Sequence, residues 1–542
     1  MRKTAAAGGV TVKAYAGTTG VLVAFDVEPE RRAGLLGFAI ERREGEGPWQ
    51  WLLGKLGWEG EAVAPGQYFR SDERPYQKFR WSDYRVEPGR SYRYRVHPVY
   101  GSPAAPRVEA GPSVAVRAAA LDAGAHRVLF NRAAAASQAF GLKFPTVEAE
   151  MDAARKAKRP YEPPRDVLAW LTRGVLGEIV GMLRRATGPA WALDVAIYEY
   201  EDPDIRRELL AARERGVRVR LVYHAKPGDP QTAHNEEHVA ELGDAARGRV
   251  TSKIFHQKFV VLSKLTGGDA EPVAVLTGST NFTHNGIYRQ ANVVHVAEDA
   301  GLAGRFAALF EQLWAGRTVG QTRAYVDADN PLDLGAAAFA GFSPRSKLAD
   351  LAAIAAKIGG ARRDVLFCTA FDLSAPIVEA LLGTAGDDVI RLGVQNKRQN
   401  ALTGVHRDRT ASFSAAAMLN KGLEGFLKES LAGQRGSTLI HTKLVVLDFT
   451  SDAPTVISGS HNLSVAASGG NDENFLVVNG DTDVADCYGV ELMRIYDPYR
   501  FRFAAKQGAA RPALTRGDAW TKLYFKRGSL SDRDRRYFAG RA

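Results

Sequence analysis

Two strings in this chain place an imidazole and an ammonium group two residues apart: His256-Gln257-Lys258 and His441-Thr442-Lys443. With 11 histidines and 20 lysines in 542 residues, a His-x-Lys string is expected by chance about 0.4 times, so a single one carries little weight. Each of these two opens an apolar run and precedes a second string, Gly278-Ser279-Thr280-Asn281 in one case and Gly459-Ser460-His461-Asn462 in the other. The spacing is 23 residues from Lys258 to Asn281 and 19 from Lys443 to Asn462. Coincidence does not account for that pairing. The residue types suit phosphodiester cleavage without a metal. One imidazole can serve as a nucleophile that survives as a covalent intermediate, another as the acid for the leaving oxygen, with lysines and asparagines holding the phosphoryl oxygens. On a strand, residues i and i+2 face the same way, so each histidine and its lysine enter one site together. A third string, His224-Ala225-Lys226, has no Gly-Ser-x-Asn at the corresponding distance and reads as chance or a loop end.

The elements around the two motifs repeat in one order. The first half runs through the apolar stretch 192–198, a helix reaching Leu210, a strand from Val217 to Tyr223, the His256 motif, the Asn281 motif, and a strand at 292–296. The second runs through 364–371, a helix reaching Leu382, a strand at 389–394, the His441 motif, the Asn462 motif, and a strand at 474–478. Two halves of one α/β design are expected to pack face to face about a pseudo-two-fold axis, and a site on that axis would receive one copy of each motif.

The duplicated pattern resembles the phospholipase D superfamily, whose signature is H-x-K-x4-D followed by G-S-x-N, present twice per active site. The resemblance covers roughly residues 190–505. The second half has the full set: His441, Lys443, Asp448, Gly459, Ser460 and Asn462, with Glu473 eleven residues beyond Asn462. The first half departs from it: Ser263 stands where the motif aspartate belongs, and Gln290 or Asn292 stands in the neighbourhood that Glu473 occupies in the second. The resemblance implies that His256 attacks phosphorus to give a phosphohistidine while His441 protonates the leaving oxygen and then activates water. It implies Lys258, Asn281, Lys443 and Asn462 around the phosphoryl group, with Ser279, Ser460, Asp448, Glu473, Gln290 and Asn292 in support, and no metal or other cofactor. A carboxylate beside an imidazole raises its proton affinity, whereas an amide orients the ring without charging it. If Glu473 partners His441, that asymmetry favours His441 as the acid; sequence does not say which partner faces which ring.

Before the repeat, the chain to about residue 118 reads as short strands, at Val10–Ala16, Val21–Val27, 38–43, 92–99 and 114–117, between Gly/Pro-rich turns. That spacing predicts a β-sandwich. The stretch from Val86 to Val96, with a Pro-Gly turn before Tyr92 and Tyr94, resembles the E–F corner of a fibronectin type III domain. Trp49, Trp51, Trp58 and Trp81 fall here and read as core and surface aromatics rather than a ligand platform. Residues 119–190 read as a helical linker, with an amphipathic helix from Asp166 to Leu183. The division is then 1–118 sandwich, 119–190 linker, 191–320 first half, 321–505 second half, and 506–542 an extension packing on the catalytic region.

Other candidates carry less. His234 and His238, beside Glu236 and Glu237, have helical spacing for zinc but lack a glutamate directly after the first histidine, and read as a solvated helix or loop. Gly267-Gly268 and Gly469-Gly470 have no phosphate-loop context. Lys397, Arg398, Arg407 and Arg409 form a basic cluster before the second motif, either an exposed face or a substrate-contacting loop.

The composition, 45% hydrophobic and 25% charged, is that of a multidomain globular chain. Two cysteines, Cys368 and Cys487, exclude a disulfide framework but allow one bridge. The N-terminal stretch does not read as a signal peptide, which leaves the compartment unassigned. No stretch approaches the roughly 18 apolar residues of a bilayer span. Net charge is +11, and residues 1–118 hold 18 Lys+Arg against 13 Asp+Glu, so the excess is concentrated outside the repeat and points to the N-terminal region as a docking surface for an anionic partner. Both motifs lie in one chain, so a monomer is expected. A phospholipid substrate, hydrolysed or transferred to another alcohol, is favoured over a DNA or RNA substrate cleaved by the same chemistry; a catalytically dead scaffold is the third reading.

Overall fold

Runs of Val, Ala, Leu and Phe with few breakers make strands buried on both faces, and these dominate the region of the two motifs. The structure is a computed structural model. It describes residues 2–541 apart from 65–66, 123, 133–142, 158, 160, 384–386, 397–398, 400–401, 403, 407–410, 416–439 and 507–512. The basic cluster of Lys397, Arg398, Arg407 and Arg409 lies outside the described residues.

Two large sheets carry the repeat. The first runs, edge to edge, His126–Phe130, Val293–Ala297, Asp269–Gly278, Lys258–Thr266, Trp191–Ile197, Arg218–His224 and Ala246–Arg249. The second runs Ala338–Ser343, Glu473–Asn479, Thr455–Gly459, Leu444–Leu447, Asp364–Thr369, Ile390–Gln395, Ala411–Ala415 and Gly404–His406. The first seven strands correspond one to one, including the sense of pairing: parallel between the motif-preceding strand and its helix-connected neighbour, antiparallel toward the motif strands. Strand alternation divides each sheet between two cores. Phe259 and Val261 of the first sheet share a core with Leu444 and Val446 of the second, while Val260 and Leu262 face the helices of residues 165–214. On the far side of the second sheet, Val445 and Leu447 pack on Leu351, Ile354 and Ile377.

The segment before residue 190 departs from the expected linker. His126–Phe130 is the edge strand of the first sheet, paired antiparallel with Val293–Ala297. The single helix expected from Asp166 to Leu183 is two, Arg165–Thr172 and Val175–Arg184. The break falls where Arg173 and Gly174 both adopt positive φ (51° and 91°). Arg173 turns there to reach Glu491 at 2.8 Å, a buried ion pair with a residue 318 positions later. Tertiary pairing overrides the helical periodicity at that point.

In the N-terminal region, one sheet holds Arg2–Ala7, Val10–Ala16, Val21–Val27 and Arg80–Asp83. The other holds Ala105–Val108, Ser91–Ser102, Gly37–Glu44 and Gln50–Trp51, with Ser113–Arg117 also on Ser91–Ser102. Val12, Val23 and Phe25 of one meet Ile40, Tyr94 and Val96 of the other in one core. The backbone N–H of Glu87 donates to the Tyr92 hydroxyl at 2.8 Å across the Pro-Gly turn. Trp58 is fully buried, and the Arg95 guanidinium lies 3.8 Å over the Trp49 ring.

The C-terminal segment packs on more than the two sheets of the repeat. Trp520 and Tyr524 stack against Phe79 of the N-terminal core, with ring centroids at 5.3 and 4.9 Å. Arg535 pairs with Asp26 at 2.5 Å. Arg80, buried, joins all three regions by pairing with Asp497 at 2.6 Å and Asp534 at 2.9 Å. Many arginines of the N-terminal region are committed to such pairs, among them Arg31 with Glu109, Arg42 with Asp83 and Arg74 with Glu61. Cys368 and Cys487 are both buried free thiols, so they form no bridge. Among the described residues no helix is long and apolar enough to cross a membrane.

Candidate functional site

Each motif histidine precedes its strand by two or three residues, and the lysine folds back on it: Lys258 Nζ donates to the His256 carbonyl at 2.9 Å, and Lys443 Nζ to that of His441 at 2.6 Å. The two imidazoles face one another with centroids 6.2 Å apart and planes at 73°. Both histidines and both lysines are nearly inaccessible. Tyr198 walls the first pair, 5.3 Å from the His256 ring and 5.1 Å from Lys258 Nζ. Phe371 walls the second, 6.3 Å from His441 and 5.8 Å from Lys443 Nζ.

The ring partners cross between the halves. His256 Nδ1 donates to Glu473 Oε2 at 2.6 Å, and His441 Nδ1 donates to Asn292 Oδ1 at 3.0 Å. The backbone dictates this exchange. Phe255 forms a parallel bridge with Asp472, and Ala291 one with Ile440, so the next residue on each strand, histidine on one and partner on the other, meets its counterpart. The arrangement in which Glu473 charges His441 is therefore not the one found: the carboxylate serves His256 and the amide serves His441. Asn292 stands eleven residues after Asn281, the same offset as Glu473 from Asn462. It, not Gln290, is the counterpart of Glu473; the Gln290 backbone carbonyl accepts from Asn131 and its N–H donates to the Asn285 carbonyl.

Both partners are locked. Asn292 Nδ2 donates to the Gly286 carbonyl at 2.8 Å and its Oδ1 also accepts from Ser279 Oγ at 2.8 Å, which fixes the amide with oxygen toward His441. Glu473 accepts from Asn471 at 3.0 Å and interacts with the Ser460 hydroxyl. The two motif serines also accept the backbone N–H of the residue after each partner, Val293 at 3.1 Å and Asn474 at 2.9 Å. The glycines before them are required by close approach. A Cβ on Gly278 (φ 145°) would lie 2.2 Å from the Val293 carbonyl, and one on Gly459 (φ 154°) 2.5 Å from that of Asn474.

Asp448 belongs elsewhere. It lies past the far end of Leu444–Leu447, about 16 Å of extended chain from Lys443, with φ 52°, and accepts the backbone N–H groups of Arg362 at 2.8 Å and Arg363 at 2.7 Å. It clamps a chain corner, which corrects its assignment as a supporting site residue. The serine at the corresponding position, Ser263, is buried beside a strand irregularity, so the first half solves that corner differently while its histidine and lysine stay in place.

Electrostatics follow from burial. Desolvation first, then the nearby Lys258 and Lys443 charges, hold His256 well below the ordinary imidazole range; His441 is held down in the same way. Burial brings the Lys258 ammonium down to about 7 and lowers that of Lys443, which also faces Lys258. Burial pushes the Glu473 carboxyl up to about 7. Cations so crowded in a buried site favour an anion, whose charge would offset their repulsion.

Several contributors carry no sequence signal of their own. Glu199 approaches Asn281 from the end of Trp191–Ile197. The buried pair of Arg249 with Asp472, at 2.9 Å, ties the halves together one residue before Glu473. His224, the histidine of the third His-x-Lys string, is buried and accepts the Phe255 N–H at 3.1 Å, directly before His256. By contrast, His238 only meets Arg206 at 3.2 Å, and neither it nor His234 belongs to a group of three metal-ligating side chains among the described residues.

Residues 180–314 match the family model described as "Cardiolipin synthase, PLD-like domain". The chain is 26% identical over 137 residues to "Mitochondrial cardiolipin hydrolase" of Xenopus laevis, a match covering 24% of this chain and 59% of that protein. It is 26% identical over 126 residues to the protein of that name from Chlamydomonas reinhardtii, covering 22% and 51%. The chain thus spans only between about half and three fifths of the length of these relatives. Among solved structures, phosphatidylserine synthase of Haemophilus influenzae aligns over 61% of this chain and 86% of its own, with 13% identity and a TM-score of 0.40. The sequence matches support a phospholipase D-like domain in the first half of the repeat.

Proposed function

We propose that this chain is a phosphodiesterase working through a covalent phosphohistidine on His256. The observation that carries the reading is the unequal pairing of two facing imidazoles, one with a carboxylate and one with an amide. Glu473 holds the Nδ1 proton of His256 and leaves Nε2 as a lone pair for phosphorus. As the N–P bond forms and the ring becomes cationic, the carboxylate offsets its charge. His441 keeps its Nδ1 proton, hydrogen-bonded to Asn292, and takes up a second proton at Nε2 as the incoming phosphoryl anion offsets the lysine charges. Its amide partner offers no further compensation, so His441 gives that Nε2 proton to the leaving oxygen as the P–O bond breaks. It then takes a proton from water as that water attacks phosphorus and displaces His256. Lys258, Lys443 and the amides of Asn281 and Asn462 receive the phosphoryl oxygens. None of these steps uses a metal. An acceptor alcohol in place of water gives the transfer reaction.

A phospholipid phosphodiester is the favoured substrate, supported by the names of the relatives that match the first half. With many of its arginines in ion pairs, the N-terminal region's docking of an anionic partner rests on its net charge alone. The deciding experiment is a rapid quench with phosphorus-labelled phosphatidylcholine or cardiolipin vesicles, beside single- and double-stranded DNA. Acid-labile, base-stable label on His256 from the lipid supports the whole reading. Label on His441 reverses the roles, and turnover of DNA alone replaces the substrate.

A further inference from the structure

Of the two motif asparagines, the one in the first half is already engaged by an internal anion. Asn281 Nδ2 donates to Glu199 Oε2; a carboxylate only accepts, so the amide nitrogen is the atom that faces it. Asn281 Oδ1 is buried and has no hydrogen-bond partner among the described residues, as is the case for Asn462 Oδ1. The backbone fixes the contact: Phe282 N–H donates to the Glu199 carbonyl at 3.1 Å, and Glu201 N–H to the Phe282 carbonyl at 2.8 Å. Glu199 also lies within the fields of Lys258 and Lys443, and burial, the largest influence on it, raises its proton affinity. In the second half no described carboxylate hydrogen-bonds Asn462, and the aromatic ring of Phe371 stands near Lys443.

We propose that Glu199 is a specificity-determining residue that stands beside the phosphoryl position on Asn281, so that the site accepts a singly charged phosphodiester and rejects doubly charged phosphomonoesters, inorganic phosphate and sulfate. This rests on the phosphodiesterase reading above. A diester brings one negative charge, which balances the two lysines and the protonated His441 ring set against the Glu199 and Glu473 carboxylates. A dianion places its second charge against a carboxylate held within a low-dielectric site, where like charges repel strongly. Cleavage of a diester by water yields a phosphomonoester, so the same repulsion that excludes the dianion speeds departure of the product.

The test compares Glu199→Gln with the wild type and with Glu201→Gln, an exposed acid nearby that leaves Asn281 untouched. Direct binding of sulfate, a dianion from pH 5 to 9, and of dimethyl phosphate, a monoanion, is measured by calorimetry beside steady-state hydrolysis of bis(p-nitrophenyl) phosphate. E199Q is expected to tighten sulfate binding about tenfold or more at pH 8, to change dimethyl phosphate binding less than about threefold, and to lower the Ki of sulfate more than the KM of the diester. The ratio of wild-type to E199Q sulfate affinity should approach one as pH falls and Glu199 takes up its proton. Equal effects on both anions, a pH-independent ratio, or the same gain from E201Q would overturn the proposal. Because binding is read without turnover, a wild-type protein that binds both anions but hydrolyses no diester would count against the phosphodiesterase reading and leave the Glu199 comparison standing.

Discussion

His256 Nδ1 and Glu473 Oε2 lie 2.6 Å apart although 217 residues separate them in the chain, and the matching contact of His441 with Asn292 spans 149. Each half therefore supplies the group that orients the other half's histidine. A carboxylate on one ring and an amide on the other gives the two imidazoles different work, and the difference can be measured.

Replacing either ring should remove turnover. His256→Ala and His441→Ala are each expected to lower kcat on bis(p-nitrophenyl) phosphate by at least about a thousandfold. Substantial activity in either variant would sink the shared site. Wild-type turnover should survive EDTA; loss restored by added metal would contradict the mechanism.

Glu473 yields a pH signature. Its carboxyl, raised from 4.5 to about 7 by burial, binds its proton more tightly in the folded than in the unfolded chain. Stability from this group is thus fully present below pH 4.5 and is lost as pH rises toward 7. Glu473→Gln retains an acceptor for His256 Nδ1 and lacks that loss. Its stability relative to wild type should climb by up to about 3 kcal/mol across this window. Denaturant melts at stepped pH values check the slope, and a flat or falling difference would refute the assignment.

Asp448 should matter for folding and not for chemistry. Asp448→Ala leaves the Arg362 and Arg363 N–H groups without their acceptor and puts alanine at positive φ, at a cost of about 2 to 3 kcal/mol. At a temperature where the variant stays folded, its kcat should lie within about twofold of wild type. A drop in kcat of a hundredfold would return Asp448 to the site.

Arg80 should prove a keystone between regions. Arg80→Ala strands the buried carboxylate of Asp534 and the half-buried one of Asp497, and is expected to cost about 3 kcal/mol. Differential scanning calorimetry should show the melt broadening or splitting as the N-terminal region loosens. An unchanged single transition would mean the aromatic packing of Trp520 and Tyr524 suffices.

What the sequence revealed and what it hid divide by range. Motif spacing, the repeated order of elements and the Tyr92 corner are local patterns, and all were legible. The crossed partners were not, because they depend on a bridge between Phe255 and Asp472 that neither segment encodes alone. The split of the 166–183 helix follows from an arginine drawn to Glu491. Asp448 was overweighted since a shared motif position suggests shared chemistry, whereas its geometry serves a chain corner. Glu199, 57 residues before His256, has no periodicity or motif to mark it; only proximity to Asn281 does.

The crossed pairing also sets a clock on the maturation of the protein. When His256 is added to the growing chain, the glutamate that orients it is still 217 residues from being made, which at about 5 to 20 residues per second is a delay of roughly 10 to 40 s. A nascent first half can fold its sheet yet holds an unoriented, unpaired imidazole throughout that interval. On the phosphodiesterase reading proposed above, hydrolytic competence arrives only with the second half, and no partly made enzyme acts during its own synthesis.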